Sequence, residues 1–574
     1  MPTVSAHVAL TLAQHIDAVF GVMGNGNAYF LDALERRTSA EFTAVRHEQG
    51  AVVAADAHYR ASGRIAAATT TYGAGFTNAL TALAESVQAH VPLVLVVGDE
   101  PTSGPRPWDV DQIALASAVG ARTYTVGRAD AAATTIIAIE HALTYRVPVV
   151  LAIPYDVAAL EAGDVPSAPA PRIPTPLSPK SEFSTGMLDE IATALRHAER
   201  PFLLAGRGAW LAGAGDALGA LAEATGALTA STALGRGIFP AVEYDLGVTG
   251  GFGAEGAMSL VREADVAVVF GASLNQFTMR FGELFAPGTR VFQVDVAPAA
   301  THANVGGFVR GDARAVAEEL VAKLRSAMHV DPSTGSGNDS SPTLEPVEGD
   351  SEPLGPPWRE RVDVTSAREY ERGDDLAPDG RLDPRSAARR IAELLPQDRV
   401  VVSDGGHFIG WANMYWPVES PDRMMMIGTA FQAIGQGWPS VVGAARARPE
   451  STVVLTSGDG GGLMAISDLE SAVRAAAGRG CAVIWNDAAY GAEINLYGLK
   501  GLAEGPMRIP EVDFAAFGAA VGAEGVVVRT LNDLERLGTW AAIPAAERRF
   551  LLLDLRISGN VIAPYQQEII RVNS

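Results

Sequence analysis

The sequence has very little cysteine and no long apolar run. Cys481 is the single cysteine among 574 residues, which excludes an internal disulfide framework and a metal cluster built on several thiolates. It lies in an apolar segment, so we interpret it as a buried thiol rather than a nucleophile. No apolar run approaches the roughly 20 residues that span a bilayer, so we expect no membrane segment. Because the N-terminal residues lack the basic start of a signal peptide, we expect a cytoplasmic protein.

Positive charge is also scarce. The chain has 44 Lys and Arg residues against 66 Asp and Glu residues, which gives a formal net charge of −22. This balance argues against a nucleic-acid partner, because binding to a phosphate backbone depends on a basic surface. The hydrophobic content of 48% and the charged content of 19% describe a globular protein that can build large cores.

Short apolar runs bounded by glycine alternate with helical patterns along the chain, which is typical of parallel α/β sheets. We therefore predict an α/β fold of three doubly wound parallel-sheet domains, at residues 1–170, 182–328 and 379–574, with a Rossmann-like domain in the middle. The residues between the last two domains, 329–378, are rich in Ser, Pro, Gly and acid. This composition predicts a flexible linker.

Two predicted strands end in glycine, acid and amide. The run "TVVLTS" leads into a glycine loop that holds Asp459, and the run "CAVIW" leads into Asn486 and Asp487. In open parallel sheets ligands bind at the carboxyl ends of strands, and glycine N–H groups suit a phosphate. Yet the loop has neither a Gly-Lys-Ser/Thr ending nor the GxGxxG spacing. Since a carboxylate repels a bare diphosphate, we infer a divalent cation between them, held by Asp459 and Asp487.

This pattern, GDG, then residues 461 to 485, then Asn-Asp, resembles the cofactor motif of thiamine diphosphate enzymes. The likeness covers nearly the whole chain and is to the family of acetohydroxyacid synthase, pyruvate decarboxylase and benzaldehyde lyase. It implies a pyrimidine-binding first domain, a middle domain and a diphosphate-binding last domain. It also implies that Asp459, Asp487 and the backbone carbonyl of Ala489 bind Mg²⁺. The residues expected at the diphosphate are Gly458, Gly460, Gly461, Gly405, Gly406 and His407. For His407, a backbone bond at a helix start is the alternative.

The N-terminal segment "FTAVRHEQGAVVAADAHYRASGR" resembles the strand and helix that carry the family's catalytic glutamate. The resemblance identifies Glu48 as the carboxyl group that exchanges a proton with the aminopyrimidine; a surface role is the alternative. "TYGAGFTN" resembles the family's "TSGPGxTN" loop and contributes Gly73 and Asn78 to cofactor binding. The family divides the cofactor between the first domain of one subunit and the last domain of its partner. The resemblance therefore implies a homodimer or homotetramer in which Glu48 acts across the interface.

The segment "GTAFQAIGQGWP" resembles the part of the family that bends the cofactor. Ile434 falls on the bulky aliphatic side chain that acts as the fulcrum, with core packing as the alternative. The carbonyl of Gln432 would accept a hydrogen bond from the 4′-amino group. In the middle domain we favour a purely structural role over the binding of FAD or ADP, which some family members have.

Four residues bear on the reaction type. Asn25 stands where simple 2-oxoacid decarboxylases carry an aspartate, and Asp111 with Gln112 replaces their His pair. Gln112 resembles the glutamine of carboligating members and is predicted to hydrogen-bond the enamine or the acceptor carbonyl; a surface amide is the alternative. Glu493 falls where decarboxylases carry a second catalytic glutamate; the alternative is a helix-surface acid.

These marks predict an enzyme that decarboxylates a 2-oxoacid, of the pyruvate type, and ligates the acyl anion to a carbonyl acceptor. Asn25 and Gln112 favour this carboligase, whereas Glu493 favours a non-ligating decarboxylase. A non-catalytic regulator that binds the cofactor is a third hypothesis, against which Glu48 argues.

Overall fold

The computed structural model describes residues 1–167, 169–179, 182–328 and 356–573. The chain divides into two compact units, one made of Met1–Pro174, Glu371–Val418 and Asp422–Ser574 and the other of Thr175–Tyr370 and Glu419–Pro421. The first unit holds two six-stranded sheets and the second holds one, and every strand pair within them is parallel. The predicted fold class is therefore confirmed.

The N-terminal sheet has the strand order second, first, third, fourth, sixth, fifth. Its strands are β1 (Ala18–Gly21), β2 (Glu41–Ala44), β3 (Ala66–Thr70), β4 (Leu93–Asp99), β5 (Arg122–Thr125) and β6 (Pro148–Pro154). Its helices are α1 (Val4–Leu12), α2 (Ala28–Arg37), α3 (Glu48–Ser62), α4 (Ala74–Gln88), α5 (Gln112–Ala118) and α6 (Ala131–Tyr145). The central strands β3, β4 and β6 are buried along their whole length, as parallel strands covered on both faces are.

The sheet of the second unit has a different order, third, second, first, fourth, fifth, sixth, which is the order of dinucleotide-binding sheets. Its strands are β7 (Pro201–Ala205), β8 (Leu228–Ser231), β9 (Asp245–Val248), β10 (Val266–Phe270), β11 (Arg290–Asp295) and β12 (Val305–Arg310). Its helices are α7 (Glu182–His197), α8 (Arg207–Leu211), α9 (Gly215–Thr225), α10 (Glu255–Glu263), α11 (Ala313–Met328) and α12 (Val364–Ala367).

The C-terminal sheet repeats the strand order of the N-terminal one. Its strands are β13 (Arg399–Ser403), β14 (Met424–Met426), β15 (Thr452–Gly458), β16 (Gly480–Asn486), β17 (Glu524–Val528) and β18 (Leu551–Arg556). Its helices are α13 (Pro384–Leu394), α14 (Ile409–Tyr415), α15 (Gly437–Ala447), α16 (Asp459–Met464), α17 (Leu469–Ala476), α18 (Gly491–Glu493), α19 (Phe514–Ala520), α20 (Glu535–Ala541) and α21 (Pro564–Asn573). Cys481 lies fully buried in β16, as predicted from its apolar neighbours.

Helices α3 and α15 pack closely together inside the first unit. A Cβ atom on Gly443 of α15 would lie 2.0 Å from the carbonyl oxygen of Ala54 in α3, so only glycine permits this approach. Ala51 and Ala444 belong to the same buried cluster. The small residues of both helices therefore join the N-terminal and C-terminal sheets into one core.

The predicted linker lies only partly within the described residues, because 329–355 are outside them. The described end of the linker holds a short 3-10 helix, Trp358–Glu360, followed by α12. Trp358 and Val364 are buried in a core cluster of the second unit. The boundaries of the three domains stay predictions. In the part of the chain that the structure describes, no helix combines the length and the apolar character needed to cross a membrane.

His58 makes the stability of the first unit depend on pH. Its ring is fully buried in α3, where Nδ1 donates to the carbonyl of Arg64 at 3.3 Å. Burial lowers the pKa of His58 to about 4, and the charge of Arg64 acts in the same direction. Between pH 6.5 and 4 the unfolded chain binds a proton that the folded chain excludes, so stability falls as the pH falls. We expect a loss of about 3 kcal/mol over this range.

Denaturation midpoints measured from pH 7 to pH 4 check this prediction. His58→Gln should flatten the pH dependence, while the control His197→Gln, at an exposed position, should leave it as in the unmodified protein. An equally steep decline in His58→Gln would show that another group is responsible.

Candidate cofactor site

Two carboxylates meet at the carboxyl ends of β15 and β16. These strands pair in parallel with Gly458 opposite Trp485, which places Asp459 and Asp487 at the same edge of the sheet. Asp459 is 2% exposed, and its Oδ1 accepts from the N–H of Gly460 at 2.9 Å. Burial, together with the negative charge of Asp487, raises the pKa of Asp459 to about 7. The two acids are therefore close enough to repel each other.

Three buried oxygens at this edge have no hydrogen-bond partner among the described residues: Asp459 Oδ2, Asp487 Oδ1 and Asn486 Oδ1. Buried polar atoms are nearly always satisfied, so an unpaired set indicates a missing ligand. Hard oxygen atoms are what Mg²⁺ prefers. Within the described ranges, no group of three or more His, Cys, Asp and Glu side chains fits a metal. A cation here would therefore also need carbonyl, water or phosphate oxygens, as the predicted set of Asp459, Asp487 and Ala489 does.

The backbone after Asp487 is fixed by a short antiparallel bridge. Ala488 has a φ of +62°, and its carbonyl accepts from the N–H of Ile509 at 2.9 Å. The N–H of Tyr490 donates to the carbonyl of Met507 at 2.8 Å. These bonds hold the buried Ala489 between them, two residues after Asp487. The predicted ligand carbonyl therefore belongs to an ordered turn.

His407 contacts the second carboxylate. Its Nε2 lies 2.9 Å from Asp487 Oδ2. Burial pulls the pKa of His407 down, but the charge and hydrogen bond of Asp487 outweigh this and leave the pKa raised. In this arrangement the ring orients Asp487. Among the described residues, the ring contacts this carboxylate and not a backbone group at a helix start. The contact of His407 with a diphosphate stays a prediction.

The predicted diphosphate glycines leave little room for side chains. A Cβ on Gly460 would lie 2.6 Å from the ring of Tyr490, and one on Gly461 would lie 2.6 Å from Asp404 Oδ2. Gly406 has a φ of +137° and is exposed. Gly458 and Gly405 are both buried. Bare backbone therefore lines this edge of the sheet, as a phosphate cradle requires.

The predicted cofactor-bending segment forms a tight loop between β14 and α15. The N–H of Ala433 donates to the carbonyl of Gly428 at 2.8 Å, which closes the loop. Gln432, at its tip, is exposed and has a φ of +58°. Ile434 is partly buried, and its Cγ2 would lie 3.2 Å from a Cβ on Gly405. Gln432 and Ile434 therefore lie beside the loop that follows β13.

Glu48 begins α3, at the edge of the N-terminal sheet. Its Oε2 accepts from Asn78 Nδ2 at 3.0 Å, so the two predicted residues are together. No hydrogen bond or ion pair between described residues joins Glu48 to Asp459 or Asp487. That the Glu48 half of the site and the Asp459–Asp487 half meet across a subunit interface stays a prediction.

The side chain of Gln112 already has hydrogen-bond partners within the chain. It is buried, and its Oε1 accepts from the N–H of Gly73 at 2.9 Å. Its Nε2 donates to the carbonyl of Gly98 and to Asp99 Oδ1, both at 3.0 Å. Both N–H donors of the amide are in use in this structure, and a contact with the enamine or the acceptor carbonyl stays a prediction. Gln112 fixes Gly73, which has a φ of +61°.

Asn25 and Glu493 are both exposed, and they lie in different half-sites. Asn25 follows β1 and donates from Nδ2 to the hydroxyl of Tyr72 at 3.0 Å, next to Gly73. Glu493 ends α18, and its charge contributes to raising the pKa of His407. Glu493 therefore lies on the same side of the site as Asp459 and Asp487, and its exposed side chain is accessible to a substrate.

Three family models match the chain in order. The "Thiamine pyrophosphate enzyme, N-terminal TPP binding domain" matches residues 2–118, the central domain matches 188–320, and the C-terminal TPP binding domain matches 404–555. Together they cover more than half of the chain. It belongs to the thiamine pyrophosphate enzyme family. The resemblance noted in the sequence is therefore confirmed.

Curated relatives of this thiamine pyrophosphate enzyme match at low identity over most of their length. The acetolactate synthase isozyme 3 large subunit of Escherichia coli (strain K12) is 25% identical over 571 residues, covering 95% of this chain and 93% of the relative. The sulfoacetaldehyde acetyltransferase of Alcaligenes xylosoxydans xylosoxydans is 27% identical over 554 residues, covering 92% and 88%. The chain is thus a thiamine diphosphate-dependent enzyme related to both groups.

The sequence interpretation of this enzyme missed Asp404, which is fully buried at the end of β13. Its Oδ1 accepts from the N–H groups of Gly405 and Gln436, at 2.8 and 3.1 Å. Its Oδ2 accepts from the N–H of Gly435 and the hydroxyl of Ser457, at 3.2 and 3.1 Å. Burial raises the pKa of Asp404 to about 6. Its place directly before two predicted cofactor glycines was the available signal.

Proposed function

We propose that this enzyme decarboxylates a 2-oxoacid of the pyruvate type and ligates the acyl group to a carbonyl acceptor. The observation that carries the proposal is the buried pair Asp459 and Asp487, whose unpaired oxygens lie at the end of the TPP-binding sheet. The printed names of the relatives, acetolactate synthase and sulfoacetaldehyde acetyltransferase, support acyl transfer over simple aldehyde release. Asn25, in place of the aspartate of simple decarboxylases, supports it as well.

The carboxylate side of the site would hold the diphosphate. We propose that Asp459, Asp487 and the carbonyl of Ala489 bind Mg²⁺, and that His407 keeps Asp487 oriented through its 2.9 Å contact. The N–H groups of Gly460 and Gly461 would donate to phosphate oxygens. When bound, thiamine diphosphate supplies a stabilised carbanion that adds to the carbonyl of a 2-oxoacid.

The glutamate side would control the proton at N1′ of the aminopyrimidine. The amide of Asn78 donates to Oε2 of Glu48, which leaves Oε1 as the atom that holds the exchanging proton. The Gln432 carbonyl and the Ile434 side chain would set the orientation of the pyrimidine from the other half-site. Gln112 would act indirectly, by fixing Gly73.

Product analysis tests the proposed function. The purified protein is incubated with pyruvate, thiamine diphosphate and Mg²⁺, with and without a second carbonyl compound. We expect CO₂ release together with an acyloin or a 2-hydroxy-3-oxoacid. Free acetaldehyde as the only organic product would overturn ligation.

A second candidate, the non-ligating decarboxylase, is favoured by the exposed position of Glu493 near His407. In that enzyme Glu493 would protonate the bound fragment before release, so Glu493→Gln would slow aldehyde release by about 10²-fold or more. In the proposed ligase, the same variant should change product formation only severalfold. Glu504→Gln, at a partly exposed acid that pairs with Arg508, is the matched control.

A further inference from the structure

The loop between β14 and α15, residues 428–436, donates hydrogen bonds to a buried acid of the N-terminal sheet region. Glu85, in α4, is 1% exposed. Its Oε2 accepts from the N–H of Phe431 at 2.7 Å, and its Oε1 accepts from the N–H of Ala430 at 3.4 Å. Both donors directly precede Gln432 in the loop. Glu85 thus contacts backbone that is more than 300 residues away in sequence.

Glu85 is part of a buried charge group with Arg60 and Asp56 of α3. Arg60 Nε lies 2.5 Å from Asp56 Oδ1, and its Nη2 lies 3.2 Å from Glu85 Oε1. Arg60 Nη1 also donates to the carbonyl of Met426 at 2.9 Å, at the end of β14. The hydroxyl of Ser86 donates to Asp56 Oδ2 at 2.9 Å. Two carboxylates share one guanidinium, so the loop N–H groups help to balance the remaining negative charge.

The opposite end of the loop is held by Asp404, which accepts from the N–H groups of Gly435 and Gln436. Between the two acids the backbone is unusual. Gly428, Gln432 and Gly435 have φ values of +93°, +58° and +78°. A non-glycine residue such as Gln432 persists in this conformation only when surrounding contacts hold it.

We propose that Glu85 and Asp404 are positioning residues that fix the loop from its two ends, so that the Gln432 carbonyl and the Ile434 side chain face the aminopyrimidine. The catalytic importance of this role rests on the proposed function. The fixing of the loop itself does not, because it depends only on contacts within the protein. Arg60, which is paired with Asp56, also contacts Glu85 Oε1 and so orients this carboxylate toward the loop. The N-terminal sheet region would thereby control the geometry of a loop in the C-terminal one.

Amide hydrogen exchange in the full-length protein without cofactor tests the proposal. Glu85→Gln keeps the shape of the side chain. Its amide group replaces one acceptor oxygen, so one loop N–H loses its acceptor, and Arg60 loses the negative charge that it contacts. We expect exchange in residues 428–436 to accelerate about tenfold or more, because a loop that loses its fixing bonds opens more often. Exchange in residues 438–447 of α15 should stay within twofold of the unmodified protein.

Glu41→Gln is the matched control. Glu41 also forms an ion pair between the two sheet regions, with Arg446 of α15 at 3.0 Å, but it is exposed and does not contact the loop. It should leave exchange of the loop unchanged. If Glu85→Gln fails to fold, Glu85→Asp is measured instead, because it keeps the charge for Arg60 and withdraws the carboxylate from the loop by one methylene.

The dissociation constant of thiamine diphosphate, measured by titration, supplies a second readout. We expect it to rise about tenfold in Glu85→Gln and to stay unchanged in Glu41→Gln. The positioning role and the proposed reaction can fail separately. If loop exchange accelerates in Glu85→Gln but the unmodified protein neither ligates nor decarboxylates, the positioning role is supported and the proposed reaction is rejected. Unchanged loop exchange in both Glu85 variants would overturn the positioning role, whatever the reaction.

Discussion

Replacing Glu48 by glutamine is expected to lower turnover by about 10²- to 10⁴-fold, the range over which a positioned acid–base group contributes to catalysis. The amide of glutamine cannot exchange the proton at N1′ of the aminopyrimidine. The change should leave the fold intact, because Glu48 is only partly buried and its hydrogen bond from Asn78 can still be accepted by the amide oxygen. The expected result is therefore a folded protein that binds cofactor and turns over slowly.

Two measurements check this result. Turnover with pyruvate gives the size of the loss, and deuterium exchange at C2 of the bound cofactor isolates the first proton transfer. Glu35→Gln, an exposed acid at the end of α2, is the control. If the unmodified protein exchanges deuterium no faster than free cofactor does, it is a cofactor-binding regulator and not an enzyme. A Glu48→Gln protein as active as the unmodified one would remove Glu48 from the catalytic assignment.

Replacing Asp459 by asparagine is expected to abolish Mg²⁺-dependent cofactor binding without destabilising the protein that lacks cofactor. A cation between Asp459 and Asp487 needs both negative charges. Without the cation, the same two charges repel in a buried setting, so neutralising Asp459 relieves the repulsion. The new amide can also donate to Asp487, whose Oδ1 has no partner among the described residues.

Thermal or chemical denaturation with and without thiamine diphosphate and Mg²⁺ measures both effects. At 100 times its dissociation constant, the bound cofactor should stabilise the unmodified protein by about 2.7 kcal/mol, and Asp459→Asn should gain nothing. Asp468→Asn is the control, because Asp468 is also buried but bonds Arg46 and Ser471 away from the carboxylate pair. It should lose stability and keep the gain from cofactor. A full gain in Asp459→Asn would disprove the cation site.

Mixing the two inactive variants tests the predicted division of the site between subunits. In a hybrid dimer of Glu48→Gln and Asp459→Asn, one of two shared sites would carry both native residues. Random exchange of subunits should then restore roughly a quarter of full activity, as expected for a symmetric dimer with shared sites. No recovery after subunit exchange would place each complete site within one chain.

The sheets and the carboxylate pair were predictable because their signals are local. A buried parallel strand is a short apolar run, and the runs before Asp459 and Asp487 end where the strands end in the structure. Parallel pairing of the two neighbouring strands then brings their carboxyl ends to the same edge of the sheet, and this does not depend on contacts with distant segments. The family motif added the identity of the ligand.

The parts that were missed depend on contacts between distant segments. The sequence did not show that the side chain of Gln112 turns inward to Gly73 and Asp99, because no local pattern encodes that direction. Glu85 lies in a helix as an ordinary acid would, and its role follows only from a loop more than 300 residues later. Such pairings follow from tertiary packing, which the spacing of residues along the chain does not specify.

The buried position of Cys481 has a practical consequence. Burial raises the pKa of its thiol to about 12, so no thiolate forms near neutral pH and reagents cannot reach the sulfur. A cysteine introduced at any exposed position would therefore be the sole reactive thiol of the folded chain. One fluorescent or spin label per chain can therefore be attached at that position without first replacing Cys481. Distances between labels on neighbouring chains would then report the spacing of subunits in solution.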